Sequence, residues 1–456
     1  VAVTDNLAIL AGKLSAGAIR AVGAGLGSNL PGRIARKFSP QILRTLSNQC
    51  REGVIAVSGT NGKSTTCGFI YSILRRAGFK TVHNRQGANL VTGITASVID
   101  AATIDGKLDA DYCLFEIDEA SLPVVAAEVK LKAVVVTNLF RDQLDRFGEL
   151  DTTARLIDKG IAAHHSISIL NADDPNVAQL APGCERIYYG IESFSSNYSP
   201  KTSAATSELA YCPACGAEYK YDLVFYGQLG HYKCSACTER RRQPDICARA
   251  VTVHQASSNF QLEIHGETHD VQLHLPGLFN VYNALAAAAL ASWLGIAALT
   301  IVEGLKHYTT LFGRSERISI NNKSVLIQLI KNPAGASQVI SSVTGDSAGR
   351  ILIAINDNLA DGRDISWLWD AEFEQLASHT KPIVVSGQRA DDMAVRLKYA
   401  GIPAENISVR PDLARAFKDL LEEIPAGETM WVLPTYTCLL ELQKILKAMG
   451  YSLSGT

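Results

Sequence analysis

The segment Val57–Thr66, VSGTNGKSTT, restricts the fold more than any other stretch of the chain. A short apolar run, GVIAVS (53–58), precedes it, and Ser64–Ala77 follows with helical spacing up to Gly78. A phosphate loop requires strand, glycine turn and helix in this order, because its backbone N–H groups must converge at a helix N-terminus. The usual G-x-x-x-x-G-K-[ST] pattern has a glycine where Val57 stands, but Gly59, Thr60, Asn61, Gly62, Lys63, Ser64 and Thr65 complete the rest. In such a loop the amides face phosphate oxygens, Lys63 adds positive charge near the β and γ positions, and the Ser64 hydroxyl can ligate magnesium. The alternative is a glycine turn that binds nothing.

Further strand-like runs follow at YCLFEI (112–117), KAVVVTNL (132–139) and SISILNADD (166–174), with helical spacing between them. This alternation predicts a mostly parallel sheet with helices on both faces. The order breaks near residue 191 in a polar, serine-rich stretch, and a cysteine-bearing insertion occupies about 211–247. Strand-like pieces at VTVHQ, NFQLEIHG and HDVQLHLPG then lead into the alanine-rich helix NVYNALAAAALASWLG. From about Asn322 the pattern restarts as a second α/β unit with strands SVLIQLI, ILIAIND, PIVVSG, NISVR and TMWVLPT. The domain reading is therefore a helical segment over 1–50, a central nucleotide-binding domain over 51–320 carrying the insertion, and a Rossmann-like α/β domain over 321–456.

A chain of 456 residues calls for more than one core. Its net charge of -2 gives no reason to expect nucleic acid or an acidic membrane as the main partner. Asp5, Lys13 and Arg20 interrupt the small apolar residues of the N-terminal stretch, which reads as helix and not as an export signal. The expected compartment is the cytoplasm. Of the ten cysteines, Cys50, Cys67, Cys113, Cys184, Cys247 and Cys438 are scattered singly among apolar neighbours. The other four form CPAC (212–215) and CSAC (234–237), the spacing of a four-cysteine zinc ribbon in which Cys212, Cys215, Cys234 and Cys237 complete a closed tetrahedral shell. Redox chemistry would need only one pair, and His231 nearby is not required. The basic run ERRR (239–242) raises nucleic-acid binding as a rival role for the ribbon, against a solvated basic turn as the commoner case.

The GTNGKST loop, together with FEIDEAS (115–121), TNLFRDQLDRFG (137–148), LNADDP (170–175), LPGLFNVYNALAA and FGRSERI, resembles the ATP-dependent Mur ligases and folylpolyglutamate synthases. These enzymes phosphorylate a carboxylate and let an amine attack the acyl phosphate. The resemblance implies ATP and Mg²⁺, with Glu116 as a magnesium ligand beside Ser64, Asn280 and Asn283 in the adenine-contacting segment, and Arg314 reaching the nucleotide phosphates. Asn280 or Asn283 could instead cap a helix. Two positions depart from the pattern: Gln143 replaces a metal-binding histidine, which puts a second magnesium in doubt, and Phe279 replaces another histidine. Lys159 lies near the place of the carbamoylated lysine of many Mur ligases, in competition with Asp158, and neither is assigned.

In the last domain, LIKNPAGAS (329–337) is similar to the Mur-ligase segment D-Y-A-H-N-P, but Leu329, Ile330 and Lys331 stand at its acidic and histidine positions. AINDNLADGRDISW (354–367) gathers Asp357, Asp361, Arg363 and Asp364 in a loop at the carboxyl end of a strand, where open α/β sheets place functional groups. The alternative is a capped loop with solvated carboxylates. A Mur-type core with an inserted ribbon and this terminal domain resembles the synthetase subunits of the lipid II-amidating, glutamine-dependent ligases. By that resemblance the reaction is ATP-dependent amidation of the D-glutamate α-carboxylate in the lipid II stem peptide to D-isoglutamine. Ammonia would come from a class I glutaminase subunit of the GatD type in a heterodimer, acting at the inner face of the membrane. Cys438 in TYTCLLE lacks the elbow of a glutaminase nucleophile. The resemblance gives Asp364 the role of completing the partner's Cys–His pair. A stand-alone amino-acid ligase and a nucleic-acid-binding ribbon protein are the competing readings.

Overall fold

The computed structural model describes residues 3–21, 29–84, 88–140, 150–196, 211–254, 257–308, 314–344 and 349–451. The central sheet is built on β1 (Gly53–Ser58), which pairs in parallel with β3 (Tyr112–Glu116) and β4 (Leu131–Val136). Beyond β3 lies β2 (Thr81–His83); beyond β4 lie β5 (Ile167–Asn171) and β6 (Arg186–Ile191), all parallel. The antiparallel run β9 (Ile246–Val253), β10 (Ser258–Ile264) and β11 (Glu267–Leu273) completes nine strands, β9 joining β6 in parallel.

Strand alternation divides the core into two layers. Ile55 and Val57 of β1, Leu114 of β3 and Val135 of β4 face the helices Lys63–Arg76, Leu278–Trp293 and Ala298–Lys306. Val54, Ala56, Phe115 and Val134 face the other layer, made by the N-terminal helices and by Val91–Ala101, Leu122–Glu128 and Leu150–Ala162. Strands buried on both faces must be apolar throughout, which is why GVIAVS reads as a continuous run.

The N-terminal segment folds as helices Val3–Ala21, Leu30–Phe38 and Ile42–Ser47. Arg36 grips Glu128 through both guanidinium nitrogens, at 2.7 and 2.6 Å. Arg44 donates to the carbonyls of Ala127 and Glu128, satisfying the end of that helix. Among the described residues, no helix is long and apolar enough to cross a membrane.

The second sheet has the order β12-β13-β17-β14-β15-β16: β12 (Arg314–Ile320), β13 (Lys323–Gln328), β14 (Arg350–Ala354), β15 (Ile383–Ser386), β16 (Ile407–Val409) and β17 (Thr429–Pro434). Of these strands, β12 alone runs antiparallel to its neighbour. This sheet begins at Arg314, not after residue 320, because Arg314–Ile320 forms an edge strand that pairs with β13 and turns at Asn321 and Asn322, both at positive φ.

The inserted module is the hairpin β7 (Tyr219–Tyr226) and β8 (Leu229–Cys234). One end carries the four cysteines, and the other is driven into the central domain. Arg241 is the clamp: its guanidinium meets Asp173 at 2.5 Å, Glu192 at 2.7 Å and the Ile191 carbonyl at 3.1 Å. Within the run ERRR, Arg241 is thus a structural cation and Arg242 pairs with Glu239, which leaves Arg240 as its exposed arginine. Asp173 is fully buried, so removing its cation strands a charge. Arg241→Ala is expected to lower unfolding free energy by about 3–5 kcal/mol, measured by urea denaturation.

Candidate active site

The phosphate loop sits at the carboxyl end of β1, and two glycines allow its shape. Gly59 and Gly62 have φ of +117° and +87°, where a side chain is strained. A Cβ on Gly59 would overlap the Thr137 hydroxyl, and one on Gly62 would overlap Asn283 Oδ1. The missing first glycine is not needed, because Val57 is still inside β1, where its carbonyl accepts the Ile117 N–H at 2.9 Å.

The loop is held from below by the segment after β4. The Thr60 N–H donates to the Asn138 carbonyl and the Asn61 N–H to the Asn138 amide oxygen, both at 2.9 Å. The Thr137 hydroxyl donates to the Asn61 carbonyl at 2.7 Å. The Thr60 hydroxyl exchanges bonds with Phe140, accepting from its N–H at 3.1 Å and donating to its carbonyl at 3.2 Å.

Lys63, Ser64 and Thr65 open the helix and are buried with Glu116 and Glu119. The Lys63 ammonium donates to the carbonyls of Gly59 and Thr60 and to Glu119 Oε1, the last at 3.0 Å. Burial works against its charge, but the carboxylates of Glu119, Glu116 and Asp118 outweigh it and hold its pKa above that of ordinary lysine. Burial pushes the Glu119 carboxyl up, against the pull of Lys63. The Ser64 hydroxyl donates to Glu116 Oε2, and Asn84 fixes Glu116 by donating to its carbonyl and accepting its N–H, each at 2.8 Å. A serine hydroxyl and a carboxylate brought together beside a phosphate loop are the hard oxygen donors that magnesium takes, so the residues fit that ion.

Asn280 and Asn283 lie inside the helix Leu278–Trp293, whose N-cap is Gly277, so neither caps it. Asn283 instead sits against Gly62 and accepts from the Thr66 hydroxyl at 3.3 Å, while Asn280 donates to the Pro276 carbonyl at 2.6 Å. The side chains of Gln143 and Arg314 lie outside the described residues. Asp158 accepts the Ala181 N–H at 2.7 Å, and Lys159 is exposed on its helix.

The terminal domain docks on the loop. Asn61 and Asn332 exchange amide bonds at 3.2 and 2.9 Å, and the Lys331 ammonium donates to the Thr60 carbonyl at 3.2 Å. Sequence reading registered Lys331 only as a departure and passed over Glu119 altogether; the acidic spacing in EIDEAS was the available signal. The loop after β14 separates its aspartates. Asp361 is buried and accepts the N–H and hydroxyl of Thr437 at 2.7 and 2.6 Å. Asp357 pairs with Arg389 at 2.6 Å. Asp364, partly exposed, accepts the Ser366 N–H at 2.8 Å, and bonds from Ser366 hold its carboxyl below the usual range. Cys438 is buried in the helix Tyr436–Ala448, and burial pushes its thiol up to about 12.

The thiols of Cys212, Cys215, Cys234 and Cys237 all lie within 4.8 Å of one another. The pairs 212/237 and 215/234 are 3.6 and 3.5 Å apart, close to the separation of about 3.8 Å that tetrahedral bonds of about 2.3 Å impose, so the cluster fits zinc. The opposite end of the hairpin reaches the phosphate loop's support. The buried Gln228 amide donates to the Leu139 carbonyl at 2.7 Å and to Asp174 at 3.3 Å, and Tyr226 stacks on Phe140 at 5.7 Å. Burial raises the Asp174 carboxyl to about 6 against the N–H bonds it accepts.

Comparison with known proteins adds the following. The family described as the Mur ligase middle domain matches residues 57–232 and 217–291, and the family described as MurT ligase C-terminal matches 329–439. The chain is 38% identical over 453 residues, 98% of each chain, to the lipid II isoglutaminyl synthase (glutamine-hydrolyzing) subunit MurT of Staphylococcus aureus. It is 34% identical to the subunit of the same name from Streptococcus pneumoniae, over 97% of this chain and 96% of that one. Among solved structures, a pseudomurein peptide ligase type C from Methanothermus fervidus aligns with a TM-score of 0.69 at 22% identity, covering 87% of this chain and 78% of the other. The Thermotoga maritima MurF ligase in complex with ADP aligns at 0.63 and 12% identity, covering 91% and 85%. These two structures speak to the fold alone.

Gly62→Ala is expected to abolish measurable ATP binding in calorimetry, because the new methyl meets Asn283 at a backbone angle that alanine resists.

Proposed function

Because the chain belongs to the MurT family of lipid II isoglutaminyl synthase subunits, and is thus an ATP-dependent ligase subunit, we propose the following assignment of its chemistry to its residues. The substrate is the D-glutamate α-carboxylate of the lipid II stem peptide. The observation that carries the assignment is the buried Lys63 ammonium among carboxylates at the head of the helix, a charge poised for a triphosphate.

A carboxylate is a poor electrophile, so the γ-phosphoryl group of ATP must first convert it to an acyl phosphate. Gly59–Thr65 cradle the phosphates, and Lys63 offsets the charge that spreads over the transferring group. Asn280 and Asn283 border the nucleotide, and Arg314 is the further phosphate ligand that the family pattern assigns. Magnesium, held by Ser64 and Glu116, would supply further charge neutralisation. Ammonia then displaces orthophosphate from the acyl carbon.

The ammonia comes from a GatD-type glutaminase bound to the terminal domain, whose Cys–His pair Asp364 completes by fixing the histidine tautomer. Asp364 is the one aspartate of its loop that is neither ion-paired nor buried in a turn among the contacts described above, which suits a role across an interface. The four cysteines hold a structural zinc. The protein works at the inner face of the cell membrane because its substrate is lipid-linked. The clamp made by Arg241 argues against the nucleic-acid reading of the ribbon.

Mass spectrometry of lipid II incubated with ATP, glutamine and the purified pair tests the assignment: an amide in place of the acid is expected, and no mass change with Lys63→Ala in otherwise folded protein. Asp364→Asn should reduce glutamine-driven amidation at least tenfold more than ammonium-driven amidation; equal losses would remove the triad role. For the ribbon, Cys212→Ser should lower both bound zinc by elemental analysis and melting temperature, and unchanged zinc content would contradict it.

A further inference from the structure

Lys331 has no assigned role, yet it brings a charged contact from the terminal domain to the phosphate loop. It leaves the carboxyl end of β13 immediately before Asn332, whose amide is locked to Asn61. Its ammonium lies 3.2 Å from the Thr60 carbonyl, the oxygen that Lys63 also approaches, at 3.3 Å. Two ammonium groups converging on one carbonyl repel each other, and both draw on the field of the Glu119 carboxylate. The carboxylates of Glu119, Glu116 and Asp118 keep Lys63 charged here, and an anion entering the loop meets a second cation from the terminal domain. The entering anion is identified by what the reaction brings to this loop. Ammonia brings no charge; under the acyl-phosphate reading the loop receives the γ-phosphate, and the substrate carboxylate approaches it, so a cation beside the Thr60 carbonyl lies at the phosphoryl end of the nucleotide.

We propose that Lys331 is a catalytic residue delivered by the terminal domain, whose ammonium contacts the γ-phosphoryl group as it passes from ATP to the substrate carboxylate. This rests on the acyl-phosphate reading given above. In the step, a carboxylate oxygen bonds to the γ-phosphorus while the bond to the β,γ-bridging oxygen breaks, and that oxygen keeps the electron pair as ADP leaves. Charge spreads over the three equatorial oxygens, where one cation on each side of the loop stabilises it more than in the ground state. Ammonia then attacks the acyl carbon, orthophosphate departs with the electron pair of the C–O bond, and the nitrogen releases a proton. The Asn61–Asn332 amide pair acts as the docking contact that sets Lys331 over the loop. Thus the domain that carries Asp364 also completes the phosphoryl site.

The test uses the complex with its glutaminase partner, lipid II, ATP and ammonium chloride as the nitrogen source. Lys331→Met should reduce kcat by about 10²–10³-fold, the usual cost of one transition-state donor, with ATP affinity by calorimetry within about threefold of wild type. Lys331→Arg should recover at least a tenth of the wild-type rate. Asn332→Ala, which weakens docking but keeps the ammonium, should lose less than tenfold. A Lys331→Met enzyme within threefold of the wild-type rate overturns the proposal. So does a loss of ATP binding as large as the loss of kcat, or an Asn332→Ala defect equal to that of Lys331→Met. Failure of the wild-type complex to amidate lipid II would instead sink the underlying assignment of substrate.

Discussion

A buried ammonium sets the terms for the rest of this structure. Lys63 lies almost out of solvent at the head of its helix, where a cation is disfavoured both by burial and by the positive end of the helix dipole. Three surrounding carboxylates keep it charged. They can do so only if β3 ends at Glu116 and the turn after it returns Glu119 to the loop. Asn84 and the parallel register of β1 with β3 fix that return.

The same requirement explains how the inserted hairpin fits without splitting the domain. The acids of LNADDP anchor it: Asp173 to Arg241, Tyr282 and the Ile191 N–H, Asp174 to Gln228 and the Leu139 N–H. Through Leu139 and Phe140 these contacts continue to Thr60. The hairpin is thus a wedge beneath the phosphate loop as well as a carrier of four cysteines. Buried polar groups connected in this way rigidify the segment they hold.

Much of the fold was legible because its signals are local. The run GVIAVS, the glycines that follow it and the helix ending at Gly78 each obey a short-range rule, and the structure places them as read. The paired C-x-x-C spacing likewise predicted a hairpin with four thiols at one end. Other features were not legible. The short strand Thr81–His83 is too brief to show a period, and Arg314–Ile320 was assigned to the central domain because nothing local says which sheet an edge strand will join. Within the loop 354–367, composition treated Asp357, Asp361 and Asp364 alike; Arg389 and Thr437, far along the chain, decide which are occupied.

The sequence by itself determined that a phosphate loop, an acidic turn, a cysteine module and a second α/β unit occur in this order, since each is written within a few adjacent residues and enforced by backbone sterics. Only the tertiary structure decided that Glu119 faces Lys63, that Arg241 is a clamp and not a basic patch, and that Lys331 reaches Thr60 from another domain. These are pairings between groups far apart along the chain. Their strength depends on distance and burial, and neither quantity exists until the chain has folded.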